Sequence, residues 1–295
     1  MKHLASLFLL SFLLCCSCSQ QIDDEWKPNE QLPNVPETHS VGVSFSRASL
    51  ETFAEHGITE VGVFVYLQDS MVYGKNLPLN NGTLKVDLPL GENLQTFIVA
   101  NADHLIDTDS LSKVVVYQDA HAQKPVYISE VVGFTSDNSV SSLQVELKRL
   151  VGQAVFQPKE TVEELNSITR FDQLNVTFTN VAVGYKVKSK ECITENVTIS
   201  TNLSTGFGAS VYSFPTVNGG ARTSVDVVYL KGGEEVNRII SPLDTGIGFE
   251  SSKRSTVHMK ITDENFLDEP WPSARTATYK KGISTQPFTI EVSEF

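Results

Sequence analysis

Cysteine carries the most reactive chemistry in this chain, and its distribution is uneven. Three of the four cysteines crowd into Cys15-Cys16-Ser17-Cys18, directly after an almost wholly apolar run from Leu4 to Leu14. A cysteine that follows a small residue at the end of such a run is a substrate for lipid attachment. Its thiol takes a diacylglycerol, and a peptidase then cuts in front of it. Cys18, with Ser17 before it and a polar, acidic stretch behind it, is the expected lipidated residue; Cys16, with Leu13 upstream, is the alternative. The apolar run is far shorter than the ~20 residues of a membrane-spanning helix, and only Ser6 and Ser11 interrupt it. Residues 1–17 therefore read as a lipoprotein signal peptide. Attachment through two or more acyl chains is stable.

The remaining chemistry-bearing residues do not converge on a reaction. Cys192 stands alone in the folded part, so no disulfide forms there, and a lone cysteine without a His or Asp motif is a small buried apolar residue. The histidines (His3, His39, His56, His104, His121 and His258) are scattered, and no pair has zinc-ligand spacing. Neither a nucleophile elbow nor a phosphate loop is present, and Gly206-Phe207-Gly208 lacks the third glycine of a dinucleotide turn. Asp103, Asp107 and Asp109 lack the glycine and terminal glutamate of a calcium loop. Trp26 and Trp271 are the two tryptophans that could form sugar platforms. The net charge of −12, without any basic run, excludes a phosphate backbone as partner. The expectation is a protein that is not an enzyme, holds no cofactor or metal and binds no nucleic acid.

The elements behind these residues are strands. Val41, Val43 and Phe45 alternate with small or polar residues, as do Val61, Val63, Val65 and Leu67, then Leu84, Val86 and Leu88. The pattern continues through Leu143, Val145 and Leu147, through Leu174, Val176 and Phe178, through Val225, Val227 and Tyr229, and ends at Phe288, Ile290 and Val292. Period-two alternation buries one face of a strand and wets the other, as in antiparallel sheets. Asn80-Asn81-Gly82 and Lys231-Gly232-Gly233 supply expected hairpin turns. Helix is scarce: Ser49 to His56, capped by Ser49 and ended by Gly57, and Glu160 to about Thr169 are the two candidates. Three prolines (Pro28, Pro33, Pro36) in a polar segment make residues 18–37 a tether. Two β-sandwich domains, 38–149 and 150–295, are expected beyond it, meeting near Arg149 to Val151.

A family resemblance rests on short motifs in order. The run Thr59-Glu60-Val61-Gly62-Val63-Phe64-Val65-Tyr66, then Leu88-Pro89-Leu90-Gly91, then Phe97-Ile98-Val99-Ala100-Asn101-Ala102, resembles the first domain of the Bacteroidales fimbrillin superfamily. Leu147-Lys148-Arg149-Leu150-Val151-Gly152-Gln153-Ala154 is similar to that family's approach to its second domain, with Gly152-Gln153 where Ala-Lys is commoner. Ile240-Ser241-Pro242-Leu243, Gly246-Ile247 and Ser255-Thr256-Val257-His258-Met259 resemble its closing strands. The similarity covers residues 40 to 295. Asp23-Asp24-Glu25 resembles the signal that moves Bacteroidales lipoproteins to the outer face of the outer membrane, and Asp69-Ser70-Met71 and Asp109-Ser110-Leu111 resemble a short O-glycosylation pattern of exported proteins.

The resemblance implies an all-β chain of two transthyretin-like Greek-key β-sandwich domains. It further implies a fimbrial subunit, or a fimbrial anchor or tip lipoprotein, at the outer membrane surface. Its partners would be other fimbrial subunits, the outer membrane through the lipid, and a host or bacterial surface receptor. Assembly in such proteins proceeds by strand exchange, which satisfies an open sheet edge with a neighbour's backbone. Cleavage after Arg47, the first arginine of the chain, would release Val41, Val43 and Phe45 with the leading strand. Phe288, Ile290 and Val292 would then belong to the donor strand. The alternative is a surface glycan-binding lipoprotein of a polysaccharide-uptake system, for which an exposed row of aromatic side chains on one sheet would speak.

Overall fold

A computed structural model describes residues 37–46, 53–79, 83–121, 124–137, 139, 142–216, 222–240, 246–261 and 288–294. Residues 37–295 form one compact unit. The lipidation site, residues 18–36 of the tether, Arg47, Asn80-Asn81-Gly82, Trp26 and Trp271 lie outside the described residues. Among the described residues the first strands are β1 (Thr38–Phe45), β2 (Glu60–Leu67), β3 (Ser70–Pro78), β4 (Thr83–Pro89) and β5 (Gly91–Ala100). β6 (His104–Ile106), β7 (Val115–Tyr117), β8 (Tyr127–Ile128), β9 (Val132–Ser136), β10 (Ser142–Val145) and β11 (Lys148–Arg149) follow. The second half brings β12 (Gly152–Pro158), β13 (Gln173–Lys186), β14 (Cys192–Asn202) and β15 (Ala209–Ser213). It closes with β16 (Ser224–Lys231), β17 (Glu234–Ile240), β18 (Lys253–Met259) and β19 (Phe288–Glu294).

The chain is all-β, and its alternating residues face two cores. A three-stranded sheet ordered β10-β1-β4 lies against a second sheet ordered β11-β8-β5-β2-β3, with β9 also on β5. Val41, Val43, Phe45, Leu84 and Val86 from the first meet Val61, Val63, Val65 and Ile98 from the second in one buried cluster. A four-stranded sheet ordered β15-β12-β18-β19 and a sheet ordered β17-β16-β13-β7-β6, with β14 also on β13, make the second sandwich. Ala154, Phe156, Val211 and Val257 meet Leu174, Val176, Phe178 and Val227 between them.

A third core separates the observed fold from the expected pattern. Tyr66, Phe97 and Val99 point out of the first sandwich, yet they are buried with Val114, Val116, Ala182, Tyr185 and Phe214. β2 and β5 are thus covered on both faces, where alternation alone puts one face in water. The pairing also crosses position 149: β7 joins β13 with Tyr117 opposite Gly184 and Val115 opposite Lys186. Gly152 shows how tightly the second sandwich closes at that junction. A Cβ there would stand 2.5 Å from the Glu250 carbonyl oxygen and 3.2 Å from that of Lys253.

Two turns behave differently. Gly232 (φ 58°) and Gly233 (φ 87°) close the β16–β17 hairpin, as expected of residues free to take positive φ. β3 and β4 do not form the expected hairpin with each other, since β3 pairs with β2 and β4 with β1 in different sheets. The first helix is described over 53–56. The second is short, Val162–Asn166, and Thr161 caps it: Glu164 N–H donates to the Thr161 hydroxyl while the Glu164 carboxylate accepts from Thr161 N–H.

Candidate functional site

β1 occupies the middle of its sheet, between a parallel partner and an antiparallel one. Val43 stands opposite Leu84 on β4 and Leu143 on β10, Val41 opposite Val86, and Phe45 opposite Val145. All three apolar side chains of β1 are buried. Phe45 meets Phe53 edge-on, with ring centroids 5.1 Å apart and planes at 78°. At the strand's ends the Leu90 N–H donates to the Glu37 carbonyl (2.9 Å) and the Ser46 N–H to the Val145 carbonyl (3.3 Å). A strand so placed hydrogen-bonds along both edges. Taking it out would leave β10 and β4 facing each other across about two strand spacings, about 10 Å, above a floor of Val61, Val63 and Ile98.

β19 sits differently. It pairs antiparallel with β18 at the outer edge of the four-stranded sheet, with Ile290 opposite Val257 and Val292 opposite Ser255. Those partners are buried, so the register turns Ile290 and Val292 toward the core side, yet they are 40% and 56% exposed. The expectation that one face of this strand is buried therefore fails for both residues. Along its described side chains β19 is held by ladder hydrogen bonds and by a His258–Glu291 contact of 3.5 Å. The structure gathers Val41, Val43 and Phe45 in one core, and places Ile290 and Val292 in a sheet of the other sandwich.

Two depressions and one polar clasp hold most of the remaining titratable groups of interest. A cleft of about 780 Å³ runs past His56, Tyr127, Gln144 to Leu150, and Ser251. Arg149 packs its guanidinium 5.5 Å from the Tyr212 ring there, and burial lowers its pKa. The neighbouring acids are engaged, Glu130 with Lys190 (3.3 Å) and Glu146 with Lys148 (3.2 Å). A smaller depression of about 420 Å³ lies between His104, Tyr117, His121, Glu195 and Asn196. The clasp is at Asp69, in the β2–β3 turn (φ 92°). Ser110 Oγ donates to it (2.5 Å), as do Ser112 Oγ and Ser112 N–H (2.7 Å each). Hydrogen bonds from Ser110 and then Ser112 hold its carboxyl down at about 2. The two Asp-Ser motifs meet here, Ser70 bridging antiparallel to Ser110, with Met71 N–H donating to Asp109 O and Leu111 N–H to Asp69 O. Their proximity was not legible from spacing alone.

Cys192 is a free thiol whose pKa burial pushes up, with Sγ 3.5 Å from the Pro215 carbonyl, which suits a packed side chain rather than a nucleophile. Among the described residues no group of three or more His, Cys, Asp or Glu could hold a metal ion. No helix among them is long and apolar enough to cross a membrane.

No protein-family model and no curated protein matches the chain. Solved structures do. A candidate adhesin from Bacteroides ovatus superposes with a TM-score of 0.53 at 15% identity, covering 81% of this chain and 92% of its own. A candidate polysaccharide-binding protein from Bacteroides thetaiotaomicron VPI-5482 gives 0.52 at 11% identity, over 77% and 93%. A second candidate adhesin, from Bacteroides ovatus ATCC 8483, gives 0.50 at 9% identity, over 90% and 100%. At these identities the likeness is one of fold, and it agrees with the fimbrillin-type resemblance read from the sequence.

Proposed function

We propose that this chain is a fimbrial subunit, or a fimbrial anchor or tip lipoprotein, on the outer face of the outer membrane, and that it supports adhesion. The observation that carries this reading is the position of β1. It is a leading strand in mid-sheet with three buried apolar side chains, and in sequence it runs straight to Arg47. An edge strand lost from such a sheet would shorten it; a central strand lost from it opens a two-sided groove that another strand of the same alternation can fill. The adhesin-type neighbours share the fold and lend the reading support. β19 supplies a matching donor, since Ile290 and Val292 alternate as Val41 and Val43 do and are little committed to a core. Cys18 would tether the uncut chain, so cleavage after Arg47 separates a shaft role from an anchor role.

Arginine-specific proteolysis of the purified precursor tests this. Ladders of oligomers that vanish on Arg47→Ala, or on deletion of 288–295, establish a shaft subunit. An uncut monomer that stays lipid-bound establishes an anchor and rules out exchange through this groove. A cut chain that stays monomeric refutes strand exchange altogether.

A further inference from the structure

A single row of directly paired residues crosses four strands, and its first two members line the smaller depression. His104 on β6 is opposite Tyr117 on β7, Tyr117 is opposite Gly184 on β13, and Gly184 is opposite Ile193 on β14. Residues paired across an antiparallel ladder project from the same face, so the four share one surface. The His104 and Tyr117 rings stack, with centroids 4.7 Å apart and planes at 5°. A Cβ on Gly184 would come within 3.1 Å of both Tyr117 Cε1 and Ile193 Cβ. The missing side chain is what lets the tyrosine ring settle over β13. His104 remains 54% exposed at its side chain. The result is a flat aromatic step at the edge of the 420 Å³ depression, a volume within the ~300–1,000 Å³ typical of small-molecule sites.

The rim is rich in hydrogen-bonding oxygen. Asp103, Asp119, Glu195 and Asn196 line it, and no lysine or arginine does among the described residues. Several of these groups are already fixed. Asp103 Oδ2 is 2.8 Å from His104 Nδ1, Asp119 Oδ1 accepts from His121 N–H (2.9 Å), and Asn196 Oδ1 accepts from Asn180 N–H (3.2 Å). Each carboxylate has about four lone-pair sites, so one such bond orients the group and leaves acceptors for hydroxyl donors. An anionic ligand is disfavoured, because three carboxylates would repel it with no cation to compensate.

We propose that this depression is a binding site for a neutral saccharide, with the apolar face of one pyranose ring on the His104–Tyr117 stack and its hydroxyls on Glu195, Asn196 and Asp119. The class follows from the combination. A sugar ring has one face of C–H groups, which suits an aromatic plane, and an equator of hydroxyls, each both donor and acceptor. The site lies on the second sandwich, on a different sheet from both β1 and β19, so it stands whether or not strands are exchanged.

Saturation-transfer NMR on the purified full-length protein tests it, using the methyl glycosides of glucose, galactose, mannose and N-acetylglucosamine and their disaccharides. Transfer to the ring C–H protons of at least one of these is expected. His104→Ala, exposed enough to leave folding intact by thermal melting, should weaken that sugar about tenfold, and Glu195→Gln several-fold. His56→Ala, in the larger cleft, should change nothing. The proposal falls if none of the neutral sugars shows transfer, or if binding survives His104→Ala and Glu195→Gln at full strength. It falls also if lysine methyl ester displaces the sugar more effectively than a second sugar does, which would mark a cation site.

Discussion

The reading of β1 as a removable strand can be tested by removing it. The perturbation is a chain that begins at Ala48, without Thr38–Phe45. Val41, Val43 and Phe45 are buried between two sheets. At about 1.5–3 kcal/mol for each fully buried side chain of this size, β1 contributes roughly 5–9 kcal/mol of apolar burial. That figure is an upper estimate, because unfolded chains already bury some of this surface. It is nonetheless comparable with the ~5–15 kcal/mol that stabilises a whole folded domain. The ladder to β4 and β10 is lost as well. At about 2–4 °C per kcal/mol for a chain of this size, a loss of only 5 kcal/mol lowers Tm by about 10–20 °C. The assay is a thermal melt of the truncated chain alone, then with a synthetic peptide of residues 38–46, and then with a peptide of residues 287–295. Both peptides should raise Tm in a concentration-dependent way, as any ligand selective for the folded state does. The 38–46 peptide carrying Val43→Asp should fail, because it would bury an unpaired carboxylate. A truncated monomer with the Tm of the full chain and no response to either peptide would refute the argument, since the groove would then have closed on itself.

Three further outcomes are expected. Gly152→Ala should cost about 1–3 kcal/mol by overpacking against the Glu250 and Lys253 carbonyls, read as a lower urea midpoint with an unchanged m-value. Asp69 has a folded pKa of about 2 against an ordinary 3.8, so its contribution is complete above about pH 4 and disappears as pH falls through 2; Asp69→Asn should be less stable than wild type at pH 7, with the gap closing by pH 2, and a gap independent of pH would sink the clasp. Metabolic labelling with a palmitate analogue should mark the wild type and Cys16→Ala but not Cys18→Ala; the opposite pattern would move the lipid to Cys16.

What could be read from the sequence divides by the range of the interaction responsible. Val41, Val43, Phe45, Leu174, Val176 and Phe178 announce themselves because each strand's own alternation decides which side is buried. The Thr161–Glu164 capping box was equally local and was there to be read, and it sets the start of the short helix. The His104–Tyr117 stack is not local in that sense. Thirteen positions separate the two residues, and only the β6–β7 register places them opposite each other. Nor does any window of sequence contain the reason that Tyr66 and Phe97 are buried. The cluster that buries them draws on Val114 and Val116 and, beyond the junction at Arg149, on Ala182, Tyr185 and Phe214. The exposure of Ile290 and Val292 is equally invisible to alternation: it goes with their place on β19, at the end of the four-stranded sheet.

The third core also bears on whether this chain could lose β1 and stay folded. β1 contributes nothing to it; its buried strand residues come from β2, β5, β7, β8 and β13. The sheet that carries β6 and β7 draws its other strands from the second sandwich, so the two halves are joined by backbone pairing at β7–β13 as well as by side chains. A sheet held from outside keeps its shape when its inner face is uncovered, because β2 and β5 stay packed on their other face through Tyr66, Phe97 and Val99. The three-stranded sheet lacks that support, and β4 and β10 have only β1 between them. Removal of β1 would therefore open one thin layer over a floor anchored elsewhere, which is the mechanical condition for a groove to wait for a strand rather than collapse.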